Sequence, residues 1–279
     1  MSALQWVWSV AAVASTVAWV ASLRTRDYSW VDRAWSILPV LYTVIIAAGA
    51  HFSVLRLNVM AILVTLWGAR LTFNFARKGG YSGVEDYRWA EVRAAMTPRQ
   101  FQLFNLVFIV VYQNILLVLL TLPAAAVARH RTRPWGPVDV VLTVLFLALL
   151  VGETVADQQQ WDFHREKRRI LAGGGEVTPG FLREGLFRYS RHPNYFFEIA
   201  QWWVVAAFAV AATHSLLRAN ALGAALLTLL FVGSTRFTES ISAAKYPLYA
   251  NYRHEVSAIV PWRPRHGDAV RRRGAAEST

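Results

Sequence analysis

Long apolar runs broken by short, cation-rich polar segments dominate this chain. Seven runs stand out, at residues 4–23, 35–50, 54–75, 101–128, 138–156, 198–213 and 216–233. A helix rising about 1.5 Å per residue needs runs of this order to cross a hydrocarbon layer about 30 Å thick. The second and sixth runs are short, which a bilayer accommodates by snorkelling flanks or broken helix geometry. The pattern predicts an all-α integral membrane protein with seven transmembrane helices and no soluble domain. One membrane domain is expected over 1–262, followed by a basic, disordered tail over 263–279 in which Arg271–Arg273 suit anionic lipid.

The polar breaks set the orientation. With the N-terminus outside, twenty-three Lys and Arg collect on one side, against Arg56, Arg129, Arg131, Arg133 and Arg218 on the other. Cationic loops stay inside, so the C-terminus is cytoplasmic. The first run has no basic residue before it and several after, which reads as an anchor rather than a cleaved leader. This asymmetry also explains the net charge of +12 without nucleic acid as a partner.

Composition narrows the chemistry. At 55% hydrophobic and 16% charged residues the chain lies outside the usual soluble range, and its 12 Trp suit two membrane interfaces. With no cysteine, disulfides, thiolate catalysis, iron–sulfur clusters and cysteine zinc sites are excluded. The histidines lack HExxH spacing, so no metal site is expected. The glycines of LAGGGEVTPG match neither a dinucleotide fingerprint nor a phosphate loop. No internal repeat is visible.

Polar residues gather where runs meet the cytoplasmic breaks. In RYSRHPNYFFE, Pro193 suits the first helical position and predicts a helix over 193–213. Its amino end, with Arg188 and Arg191, is an anion site. Asn194, Glu198 and Gln201 follow at i, i+4 and i+7, lining one face that enters the membrane. Such residues serve either as interhelical glue or as a functional surface. Glu153 and Asp157, one turn apart and continued by Gln160 and His164, either pair with Arg188, Arg191 or Arg253 or hydrogen-bond the ribose and amide groups of a ligand. Asp32 in SWVDRAWS and Arg70 in WGARLTFNF either pair with each other or face a substrate. Residues 86–95 can be helical. Tyr246, Tyr249 and Tyr252 repeat every three residues, as an interfacial belt or as a lid over a cofactor.

These residues carry a resemblance. RYSRHPNYFFE is similar to the RHPNYFGE signature of bacterial membrane proteins in the steroid 5α-reductase superfamily. VDRAW (31–35), WGARL (67–71), EDYRW (85–89), DQQQWDF (157–163) and YANYRHEVSAIVPW (249–262) resemble further elements of that family, in order. The resemblance implies an NADPH-dependent reductase in a bacterial inner membrane, with its cofactor site on the cytoplasmic side. Asp157, Arg191, His192, Asn194, Tyr195, Glu198, Tyr252 and Arg253 would hold NADPH. A cavity between the early spans would admit a hydrophobic substrate from the bilayer, a steroid- or isoprenoid-like enone. Hydride would reach the β-carbon of its conjugated C=C while a polar group holds the carbonyl oxygen. Asp32 would take that role, helped by Arg70 or Tyr87, because Trp67 stands where the family's tyrosine is sought. Phe197 replaces the glycine that follows the first Phe of that signature. The alternative is an S-adenosylmethionine-dependent methyltransferase of the isoprenylcysteine type, with a similar RHPxY element, a later glutamate at Glu239 and a Tyr–Pro segment.

Overall fold

The computed structural model describes residues 1–131, 133–215 and 220–265. Its helices run α1 (Ala3–Thr25), α2 (Trp30–Trp35), α3 (Leu38–Gly49), α4 (Leu55–Arg77), α5 (Tyr87–Ala94) and α6 (Pro98–Phe104). A π-helical stretch, Asn105–Tyr112, joins α6 to α7 (Gln113–Arg129). There follow α8 (Pro137–Ala172), a 3₁₀ turn (Gly185–Arg188), α9 (Pro193–Thr213), α10 (Leu222–Lys245) and α11 (Tyr249–Glu255). Among the described residues there is no strand, only one isolated parallel bridge between Ser190 and Ser257.

Local sequence sets several of these boundaries. Ser2 and Gln5 form a capping box on α1, and Thr97 and Gln100 form another on α6, where Pro98 opens the helix without missing an amide donor. Asp86 caps α5 by accepting from Arg88 N at 2.9 Å, so the expected helix over 86–95 has Asp86 as its cap. The helix predicted from Pro193 runs Pro193–Thr213.

Among the described residues, six segments are long and apolar enough to cross a membrane: Ala3–Thr25, Trp30–Gly49, Leu55–Arg77, Pro98–Arg129, Pro137–Ala172 and Pro193–Thr213. They mark an integral membrane protein. The seventh run falls on α10, whose first half is apolar but whose second half carries Arg236, Glu239 and Lys245. The beginning of that run, 216–219 with Arg218, and the tail from residue 266 with Arg271–Arg273 lie outside the described residues.

The chain divides into two compact units, 1–148 with 200–229, and 149–199 with 230–279. In the first, glycines let helices approach closely. A Cβ on Gly49 would lie 2.7 Å from Ala3 Cβ, one on Gly68 would lie 2.6 Å from the Ser36 carbonyl, and one on Gly223 would lie 2.5 Å from the Leu119 backbone. Small residues at crossings are the usual way to pack helices where lipid offers no hydrophobic drive. The same unit buries an ion pair: Arg56 reaches Asp139 through Nε at 2.5 Å and Nη2 at 2.7 Å, with the two residues 5% and 1% exposed. Asp139 also accepts from Gly136 N at 2.9 Å, so the pair fastens the start of α8 to α4.

Candidate functional site

In the second unit the signature segment is stitched to the chain's C-terminal segment. Arg191 N donates to Ser257 O at 2.8 Å, His192 N to Ala258 O at 3.0 Å, and Trp262 N to Tyr189 O at 2.9 Å. Ser190 Oγ donates to Ile259 O at 2.7 Å. Upstream, Gln159 of the DQQQWDF element accepts from Leu186 N at 2.9 Å. A side chain at Gly185, whose φ is +60°, would collide with that glutamine. Three elements far apart in sequence therefore converge on the start of α9.

Glu239 stands at the centre of this arrangement. It accepts from Arg191 Nε at 2.6 Å and Nη2 at 3.0 Å, a bidentate pair between residues 4% and 9% exposed at the side chain. His192 Nε2 lies 3.2 Å from the same carboxylate, and Arg253 Nε lies 3.3 Å from it while staying 50% exposed. Burial alone would raise the Glu239 pKa. Hydrogen bonds from His192 and Arg191, with their charges, overcome that and hold it at about 2.

Arg191 and Arg253 thus pair with Glu239, not with Glu153 or Asp157. The remaining Arg191 donor, Nη1, bonds Arg253 O at 2.9 Å and also Val256 O. The guanidinium is consumed by the protein. Tyr252 is likewise consumed: its hydroxyl donates to Phe187 O at 2.5 Å, and burial pushes its pKa well above the ordinary tyrosine value. Arg191 and Tyr252 thus tie the signature segment to α10 and to the C-terminal segment. His192 and Tyr195 stack with ring centroids 5.1 Å apart, and Tyr195 meets Phe231 edge-on at 4.5 Å. Asn194 opens α9 half-buried, and Asp157, Glu198 and Glu153 are buried at 3%, 4% and 3%.

The three tyrosines of the C-terminal segment gather around one ring. Phe181 sits among them, with ring centroids 5.8 Å from Tyr246, 5.0 Å from Tyr249 and 5.2 Å from Tyr252. Lys167 Nζ reaches Tyr246 Oη at 2.8 Å. Burial would raise that phenol's pKa, but Lys167 and then Lys245 bring it below the ordinary value.

Asp32, Arg70 and Tyr87 all belong to the first unit, whereas the eight expected cofactor residues all belong to the second. Asp32 accepts from Trp89 Nε1 at 2.9 Å, so its partner comes from EDYRW and not from Arg70. Tyr28 N donates to Glu85 at 3.0 Å and Asp86 N to Ser29 Oγ at 2.9 Å, which locks the VDRAW and EDYRW elements together. Tyr87 points outward, 57% exposed, and the structure does not bring it to Asp32. Arg70 is half-buried in α4.

Two residues of the candidate site are not singled out by the sequence reading of a reductase. Glu239 entered only through the methyltransferase alternative, although Thr235, Thr238, Glu239 and Ser242 share one face of α10. Trp89 was noted only as a motif position. A lone acid on the inward face of a cation-rich helix end was the available signal for Glu239.

Comparison with known proteins agrees with the fold-level reading. Residues 18–256 match the family described as a protein of unknown function, DUF1295. The chain is 39% identical over 265 residues to an uncharacterized protein of Schizosaccharomyces pombe, covering 89% of this chain and 77% of that one. No solved structure matches. The chain belongs to the DUF1295 family, which is related to the steroid 5α-reductase-like membrane proteins.

Proposed function

We propose that this protein is an NADPH-dependent membrane reductase acting on the conjugated C=C of a hydrophobic enone, with seven spans and its nucleotide site on the cytoplasmic side. The observation that carries the reading is the Glu239 cluster at the start of α9. Two arginines share one carboxylate there; the outer one, Arg253, remains half-exposed, and His192, at 3.2 Å from the same carboxylate, stacks on Tyr195. That surplus of positive charge at a helix amino end suits phosphate, and the ring stack suits a nucleotide base.

The residues present fit such a cofactor. Arg253 would hold phosphate, and His192, Tyr195 and Asn194 would flank the ring system. When bound, NADPH would supply the hydride. Asp32, fixed by Trp89, would hold the substrate carbonyl, and Arg70 would add positive charge. The substrate would enter from the bilayer.

One observation favours a second reading. Glu239, joined to the Arg191–His192 pair, is the later glutamate that an S-adenosylmethionine-dependent methyltransferase requires. Thermal melting of the purified protein separates the two. NADPH should raise the melting temperature and S-adenosylmethionine should not, with the shift lost in Asn194→Ala. A shift with S-adenosylmethionine alone would replace the first reading by the second.

A further inference from the structure

Three large apolar side chains stand out from the unit formed by 149–199 and 230–279: Trp262 is 72% exposed, Val260 59% and Tyr189 43%. They belong to two segments far apart in sequence that the backbone holds together. Trp262 N donates to Tyr189 O at 2.9 Å, and Ser190 Oγ donates to Ile259 O at 2.7 Å. Exposed apolar side chains gathered on a backbone pinned in this way mark a surface that meets something other than water.

The level of this surface relative to a bilayer follows from α9. Pro193–Thr213 is long and apolar enough to cross a membrane, so the chain enters the hydrocarbon near Pro193. Arg191 and His192, the two residues immediately before it, donate their backbone amides to Ser257 O and Ala258 O. The segment 257–262 is thereby held beside the point of entry. The headgroup layer on each side of the hydrocarbon is roughly 5–8 Å deep. Trp and Tyr are favoured at that depth, where the ring body meets acyl chains and the N–H or O–H meets water and headgroups.

Charge says which headgroups. Arg188 precedes Tyr189, Arg263 follows Trp262, and both are exposed, as is Arg265. Elsewhere in this unit exposed arginines are matched by acids: Arg165 lies 3.3 Å from Asp162 and Arg169 lies 2.7 Å from Glu166. Among the described residues Arg188, Arg263 and Arg265 form no such pair, although Glu184 and Glu255 are near them in sequence. A protein partner would have to displace lipid to reach them, whereas lipid phosphates already occupy this level. Cations beside exposed aromatic rings are the combination that holds a non-spanning segment on an anionic bilayer surface.

We propose that residues 257–263, together with Arg188 and Tyr189, form a docking surface for anionic phospholipid in the leaflet where α9 begins. Trp262 and Val260 enter the interface, and Arg188 and Arg263 meet the lipid phosphates. The C-terminal segment is then a strap fastened at two places, to the bilayer by its side chains and to the start of α9 by its backbone. The proposal uses none of the residues assigned to the nucleotide, so it stands or falls apart from the reductase reading.

The chain has no cysteine, so Val260→Cys in the full protein carries a single nitroxide label. The labelled protein is placed in lipid nanodiscs of phosphatidylcholine alone or mixed equally with phosphatidylglycerol. Collisions of the label are read with oxygen, which concentrates in the bilayer, and with a water-soluble nickel chelate. Phosphatidylglycerol should shift the label towards oxygen and away from the chelate, and inorganic phosphate added to phosphatidylcholine discs should not. Arg188→Gln combined with Arg263→Gln should lose the shift, and so should Trp262→Gln. These positions are exposed, so the variants should melt with the parent. A label open to the chelate in both kinds of disc would overturn the docking surface. Equal shielding in both, as a protein segment folded over the surface would give, would overturn it too, as would a shift that survives both sets of substitutions.

Discussion

Phe197 fills the space left by Gly152: a Cβ on that glycine would sit 2.4 Å from Phe197 Cε1. The RHPNYFGE signature that this segment resembles has glycine where this chain has Phe197, and here the missing volume lies on the facing helix. The contact between α8 and α9 is kept with its large and small partners assigned to particular helices. The departure in the signature is thus locally compensated and does not by itself count against a nucleotide site nearby.

The first prediction follows from that exchange. Gly152→Ala should destabilise the protein by about 1–3 kcal/mol, because the ring cannot be displaced without disturbing a packed helix pair. Adding Phe197→Ala should recover part of that loss. A double-mutant cycle on melting in detergent measures it, and purely additive effects would show that the two positions do not share the space.

Glu239 supports a pH prediction. Its carboxyl titrates at about 2, below the ordinary value of 4.5, so it binds a proton less readily folded than unfolded. The stability it contributes is fully present above about 4.5 and is lost as pH falls from there through about 2. Glu239→Gln should lower the melting temperature at neutral pH, since it leaves Arg191 buried without its counter-charge, a loss of about 3–5 kcal/mol. It should also flatten the fall in melting temperature below pH 4.5. Wild type and variant declining in parallel across that window would remove Glu239 from this role.

How much of this was legible beforehand depends on the range of the interaction. The helix from Pro193, the six apolar spans and the Asp86 boundary were readable because periodicity and capping act within a few residues. The Arg191–Glu239 pair was not, since its partners are separated by 48 positions and a bidentate arginine leaves no trace in local spacing. The partner of Asp32 was hidden for the same reason. The acid invited a cationic partner, and the fold supplied the indole N–H of Trp89 instead. The π-helical stretch Asn105–Tyr112 was not legible either, because in a nearly uniform apolar run it reads as ordinary helix.

The buried Arg56–Asp139 pair gives an independent measure of the first unit. Asp139→Asn should destabilise it by about 3–5 kcal/mol by leaving Arg56 without its counter-charge, whereas replacing both by apolar residues, Arg56→Met with Asp139→Leu, should recover most of the loss. NADPH-induced stabilisation should be unchanged in any variant that remains folded, because the residues proposed to hold the cofactor belong to the other unit. Loss of that response in a folded double variant would contradict the division of labour between the units.

The last prediction separates the two arginines around Glu239. Arg191 has Nε, Nη1 and Nη2 bonded to the protein, while Arg253 shares only an edge of the carboxylate and is 50% exposed. If phosphate is held here, Arg253 holds it and Arg191 holds the frame. Arg253→Ala should therefore leave the melting temperature of the ligand-free protein nearly unchanged, because an exposed ion pair contributes little. It should weaken NADPH binding by about tenfold or more, the scale of a charge-assisted hydrogen bond, and make binding less sensitive to salt. Arg191→Ala should do the reverse at first order, lowering the melting temperature and loosening residues 256–262, seen as faster proteolysis of the C-terminal segment. Equal NADPH affinity in wild type and Arg253→Ala would remove Arg253 from the nucleotide site, and with it the charge argument on which that site rests.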